Sequence, residues 1–92
     1  MSAPLSLAAR LDLGAARPLH AALLARRGAD LVLDAGQVSH FGSLGLQLLL
    51  AAARSWRRDG HRLAVAPRSP AFDEALQTFG VTLDDLQAEQ AA

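Results

Sequence analysis

The chain has 92 residues, a length that suits one domain over 1–92 with its core within about 5–86. A 51% hydrophobic content excludes a disordered chain, and a formal charge of zero excludes the basic footprint of a non-specific nucleic-acid binder. All the basic residues are Arg and there is no Cys, so neither a disulfide framework nor a thiolate metal site or nucleophile is available.

Leu5-Ser6-Leu7 alternates and predicts a first strand of four to six residues ending near Arg10. Leu11-Asp12-Leu13-Gly14 is a transition, with Gly14 or a neighbour capping the next helix and Pro18 tolerable only near its first turn. Leu19, Ala22 and Leu23 form the apolar stripe of that helix, Arg26 and Arg27 occupy its last turn, and Gly28 stops it. Asp30 to Asp34 is apolar throughout its centre, which predicts a strand covered on both faces.

The organising stretch runs from Asp34 to Ala53. A strand stops at an acid, turns through Gly36 and Gly42, and enters a helix predicted from Ser43 to about Asp59 and closed by Gly60. Leu46, Leu49, Leu50 and Ala53 fall on its sheet-packing face. Leu44, Leu48, Ala51 and Ser55 fall nearly opposite, with only Gln47, Arg54 and Arg58 as a polar strip. A neighbouring helix covers the second face, or part of it is left for a partner.

Arg62 to Ala66 reads as a further strand ended by Pro67. Ser69-Pro70 reads as N-cap and first residue of a helix carrying Phe72, Ala75, Leu76 and Phe79 at helical spacing and stopping at Gly80. Val81 could add a brief strand, Thr82 a cap for a last helix with Asp84 and Asp85 in its first turn, and the tail from Gln87 is expected to fray. The alternation predicts an α/β fold: a small mixed or parallel sheet of about four strands with helices packed against it.

Chemistry is sparse. Ser43 is the leading candidate: as an N-cap its hydroxyl bonds an amide of the first turn, and phosphorylated there it adds about −1.5 to −2 charges beside a positive helix end. No G-x-S-x-G surrounds it, since Phe41 stands two residues before, so no hydrolase is expected. His20, His40 and His61 lack metal-ligand spacing, and no motif for a cofactor is present. Asp34 either caps a loop amide or lines the same edge as Ser43, and His40 could hydrogen-bond it. Trp56 is either an interface anchor or packing near the helix end. The longest apolar run, Leu48 to Ala53, is far short of the roughly 20 residues that span a bilayer, and the N-terminus has no signal-peptide pattern. A cytoplasmic protein without membrane insertion is expected.

Leu31 to Leu49, L-V-L-D-A-G-Q-V-S-H-F-G-S-L-G-L-Q-L-L, resembles the signature of STAS domains, the sulfate-transporter and anti-sigma-factor-antagonist family. Leu33-Asp34 matches the strand end, and Gly42-Ser43-Leu44-Gly45-Leu46 the D-S-x-G-L segment, with Gly42 where the family has Asp. Leu11-Asp12-Leu13 and Phe79-Gly80-Val81 fit as well, so the likeness covers about residues 5 to 86. The family's N-terminal hairpin shrinks here to about one strand. The resemblance implies a non-enzymatic signalling module with Ser43 at the phosphorylatable position, switched by an anti-sigma factor of the serine-kinase type. Leu46 to Trp56 is also similar to short STAS proteins found with bacterial chemotaxis genes, which implies a chemotaxis component as partner without a phospho-switch. A STAS accessory subunit gripping the ATPase of a lipid-transport ABC complex is a further reading of the resemblance. A nucleotide or anion sensor at the helix end is another alternative. The expected docking surface comprises Asp34, Val38, Ser39, His40, Phe41, Gly42, Ser43, Leu44, Gln47 and Leu48, with Ser55 on its rim.

Overall fold

The computed structural model describes residues 3–89. Strand β1 (Leu5–Ser6) is followed by β2 (Arg10–Leu11), helix α1 (Leu13–Ala25), β3 (Leu31–Ala35), β4 (His40–Phe41), α2 (Ser43–Asp59), β5 (Leu63–Arg68) and α3 (Pro70–Phe79). A 3₁₀ turn over Leu83–Leu86 comes last. All strand pairings between these elements are parallel, and they form two sheets: β1-β3-β5 and the short pair β2-β4. The α/β class and the helices laid on a parallel sheet are as the alternation implies. The strands number five, not about four.

The expected first strand is split. β1 pairs with β3 through Leu5 and Leu33, and the chain then crosses to pair Arg10 and Leu11 with His40 and Phe41. Ala9 makes that crossing possible, because its carbonyl accepts from the amides of both Ser39 and His40. A two-residue strand cannot hold itself by propensity; burial of Leu7 and Leu11 holds these two.

β3 is covered on one face only. Leu31, Leu33 and Ala35 are buried while Val32 is 40% exposed, a period-two pattern hidden in the sequence by a run of apolar residues. β5 does not stop at Pro67 but runs through it, with a cis Ala66–Pro67 bond and a register shift against β3 that brings Ala35 opposite Arg68. Proline is tolerated where the ladder is already irregular.

The tail does not fray at Gln87. Ala88 forms an antiparallel bridge with Leu63, exchanging bonds of 2.8 and 2.9 Å, and the Gln87 side-chain oxygen accepts from the Val65 amide at 3.0 Å. These contacts occupy the outer edge of β5, which would otherwise present unpaired backbone groups. Arg57 holds the same segment by donating to the carbonyls of Asp84 and Gln87. Thr82 and Asp85 form a reciprocal capping box on the 3₁₀ turn, and Val81 joins no strand.

The helices keep most of their predicted bounds. α2 spans Ser43–Asp59 and closes on Gly60 in the left-handed region at φ 75°. α3 starts with Ser69, whose hydroxyl accepts from the Phe72 amide at 3.1 Å, and Pro70 at the first position. α1 is capped by Asp12, not Gly14, and Pro18 lies in its second turn. Pro18 is exposed there, and so is Gly14, whose carbonyl loses the bond that a proline cannot make. Arg26 is the C-cap, one step beyond the last turn.

One hydrophobic cluster joins all of these elements. Phe72 of α3 stacks on Phe41 of β4 with ring centroids 4.7 Å apart. Trp56 is 2% exposed and donates its indole N–H to the Ala29 carbonyl at 2.9 Å, so it is a core residue. The tightest approach is at Gly45, where an added Cβ would stand 2.9 Å from the Leu11 carbonyl oxygen and 3.1 Å from the Leu11 Cβ. Both atoms belong to the buried Leu11, and one of them is main chain, so that residue does not yield. Gly45→Ala therefore costs about 1–3 kcal/mol, read as a lower urea midpoint at unchanged slope.

Candidate functional site

The site is built where three short segments meet. β2 ends at Leu11, β4 ends at Phe41, and both lead directly into helices. The Gly42 amide donates to the Leu11 carbonyl at 2.9 Å, and Asp12, one residue on, caps α1 through the Gly14 amide at 3.1 Å. Both helices thus start side by side from one corner of the domain, on the same rim as the loop from Gly36 to Ser39.

Ser43 is exposed there, as the first residue of α2. It is not the N-cap. Gly42 holds that position with extended backbone, φ −88° and ψ 170°, and no side chain caps the helix. A Ser one residue later has already entered helical geometry, so its hydroxyl is not directed back to the first-turn amides. The Gly42 backbone lies outside the left-handed region, and a Cβ would stand 3.4 Å from the Leu11 carbonyl, an ordinary contact. An acid therefore fits at position 42 without strain.

The other expected surface residues divide. Ser39, His40 and Gln47 are exposed, and Asp34, Gly42, Leu44 and Leu48 are half-buried. Val38, 1% exposed, and Phe41 are core residues, because their loop is drawn inward by the Val38 amide bonding Ala35 and by the Phe41–Phe72 stack. They shape the loop and offer a partner no side chain. The Ser39 hydroxyl is committed to the Ala9 carbonyl at 3.1 Å. Asp34 caps its own loop: its carboxylate accepts from the Gly36 amide at 2.9 Å, so the bond is to that amide and not to His40.

The second apolar face of α2 is partly covered and partly open. α1 packs alongside α2, and between them runs a cleft of about 110 Å³ lined by Leu24, Leu48, Ala51 and Ser55, with His20 and Arg27 at its edge. Leu13, at the start of α1, is 79% exposed and Leu24 is 54% exposed. These two were not anticipated. The signal was present, since Leu13 and Leu24 are 11 residues apart and share a stripe about 100° off the buried Leu19 and Leu23. A larger cleft of about 300 Å³ lies on the other flank of α1, against β1, and has no charged lining residue.

Asp12 is the titrating group at this corner. The hydrogen bond from Arg10 holds its carboxyl below the usual carboxylate range, against the opposing effect of desolvation, and the Gly14 amide acts in the same direction as Arg10. A lowered folded-state pKa stabilises above the unfolded value and loses that contribution as pH falls through the folded one. Among the described residues no group of three or more His, Asp or Glu is placed to hold a metal ion. No helix among them is long and apolar enough to cross a membrane.

Three outcomes follow from this geometry. Ser43→Ala leaves stability within about 0.5 kcal/mol in chemical denaturation, because no cap is lost. Gly42→Asp raises it by a few tenths of a kcal/mol, since an acid at the N-cap gains only a little over Gly. In acid titrations of the folded fraction, Asp12→Asn has a shallower loss of stability below neutral pH than the parent chain while keeping α1 capped.

No curated protein and no solved structure gives a match to the chain. A family model described as "Mlab, STAS domain" matches residues 2–87. That span takes in β1, the Asp34 turn, the Ser43 corner and the 3₁₀ turn, and the chain belongs to this family of STAS domains.

Proposed function

We propose that this STAS domain is a non-enzymatic docking module in a signalling pathway, and that its protein partner lands on the corner where α1 and α2 begin and on the stripe between them. The observation that carries the reading is the exposure of Ser43 beside an apolar stripe that α1 leaves half open. Exposed leucines such as Leu13 and Leu24, near the two ends of one stripe of α1, cost solvation that a partner recovers. His40, Gln47 and Ser43 supply the polar rim, Leu44 and Leu48 the apolar floor. The resemblance points to a serine-kinase-type anti-sigma factor or a chemotaxis component as the class of partner.

Ser43 is the switch in this reading. Its hydroxyl is exposed and serves no cap, so a kinase reaches it without opening the helix. A phosphate there sits at the positive end of a 17-residue helix and is tolerated by the fold. It blocks landing by bringing about two negative charges onto a dry contact.

Two variants test this against the parent chain, with partner capture from the native cell as the measurement. Leu24→Arg keeps its melting temperature, because Leu24 is largely exposed, and loses the partner. Ser43→Asp weakens capture, and mass spectrometry of the recovered parent chain finds phosphate on Ser43. Equal capture by parent and Leu24→Arg removes this face from the interface. Equal capture by parent and Ser43→Asp removes the switch.

A further inference from the structure

The zero net charge hides a separation. Residues 13–29 and 35–58, which include α1 and all of α2 but its last residue, Asp59, contain six Arg and no Asp or Glu: Arg17, Arg26, Arg27, Arg54, Arg57 and Arg58. Residues 69–92 contain five acids, Asp73, Glu74, Asp84, Asp85 and Glu89, and no Arg, Lys or His. The domain is therefore a dipole, basic over α1 and α2 and acidic over α3 and the 3₁₀ turn.

Not all of the six are available. Arg26 donates to the Ala3 carbonyl, Arg57 to the carbonyls of the 3₁₀ turn, and Arg27 pairs with Asp59 at 3.0 Å. Arg17, Arg54 and Arg58 are exposed and enter no ion pair among the described residues. Their positions matter. On α1 the stripe beside the cleft reads Leu13, Arg17, His20, Leu24, at spacings of four, three and four. On α2 it continues from Leu48 through Ala51 and Ser55 to Arg58, at spacings of three, four and three. Each side of an apolar groove thus carries one unpaired guanidinium, and no carboxylate lines the cleft between them.

Resting on the docking reading above, we propose that the occupant of the α1–α2 groove is an amphipathic α-helix of the partner whose apolar seam is flanked by Asp or Glu. Three features favour it. The groove lies between two side-by-side helices, a trough that a third helix fills by ridges into grooves. Its floor is aliphatic and small, formed by Leu24, Leu48 and Ala51, which suits Leu or Val knobs. Its unpaired charges are positive, since the acid at its edge, Asp59, is paired with Arg27, and this balance steers acidic partners in and repels basic ones. A flat anionic membrane fits less well: the face is concave, has no Lys, and its nearest aromatic, Trp56, is buried.

The test uses two synthetic helical peptides with one Leu seam at heptad spacing, flanked in one by Glu and in the other by Lys. Each is titrated into the intact domain and followed by fluorescence anisotropy and backbone amide shifts, beside phosphatidylglycerol vesicles in sedimentation. The Glu peptide binds at least about tenfold more tightly than the Lys peptide. Its shifts cluster at Leu13, His20, Leu24, Leu48 and Ser55, and raised salt weakens it. The double variant Arg17→Glu, Arg58→Glu, altered only at exposed positions, reverses the preference. Equal binding of the two peptides, binding of neither, shifts confined to another face, or sedimentation with vesicles without peptide preference would each overturn the proposal. Such a failure leaves the docking reading standing, because the Leu24→Arg capture experiment asks only whether a protein lands on this face and not what charge it bears.

Discussion

The close contact between Gly45 and Leu11 fixes the geometry of this domain. A helix turn lies directly on a strand carbonyl, with no space for one methyl group. That approach seats the first turn of α2 on β2, and the bond from Gly42 to Leu11 aligns β2 with β4 at the same point. Since Asp12 starts α1 one residue after Leu11, the origins of the two helices are coupled. Ser43 has no freedom to turn inward, because the side of α2 that faces β2 is already filled by Gly45, Leu46 and Leu49. Its exposure is thus a consequence of packing on the other side of the helix.

The same contact accounts for the open stripe. Small residues, Ala52 and Ala53, bury the middle of α2, and Trp56 anchors its end to the loop after α1 through Ala29. Of the residues of α1 only Leu19 and Leu23 are buried, and its outer leucines stay uncovered. On the far side, the sheet edge is finished by Ala88 and Gln87, which Arg57 ties down. Acids gather at that finished side, while Arg17 and Arg58, unpaired among the described residues, stand at the unfinished one. A folded chain of zero net charge gains little intramolecular attraction from such a division at its surface, where single exposed pairs are worth less than about 1 kcal/mol. The division instead gives the molecule an orientation in the field of a charged partner.

Much of this was legible in the sequence where local chemistry and tertiary packing agree. Ser69-Pro70, Gly60 and Gly80 mark helix ends by mechanisms that act within four residues, and those ends stand where they were read. Asp34 capping a loop amide, and Trp56 packing in the core, were also readable. The failures share a cause, which is dependence on residues far along the chain. The run Leu31-Val32-Leu33 hides its alternation because Val32 is apolar on an uncovered face. Ala9 breaks the first strand only because Ser39 and His40 arrive beside it. Gln87 and Ala88 are ordered by Leu63 and Val65, more than 20 residues upstream. At the site, local preference favours Ser43 as the cap, but the Leu11 contact puts the N-cap one residue earlier, on Gly42. Val38 and Phe41 were read as surface because loops are usually exposed; the stack on Phe72 draws this one in.

The central claim is that one face of the domain, the one formed by α1 and α2, receives another protein. A photo-activated cross-linker placed singly at position 24 and singly at position 32, the exposed position on the opposite sheet face, asks this without disturbing the core. Irradiation in the native cell should give a discrete protein adduct from position 24 and none from position 32. An adduct from position 32 alone would place the interface on the sheet and contradict the account.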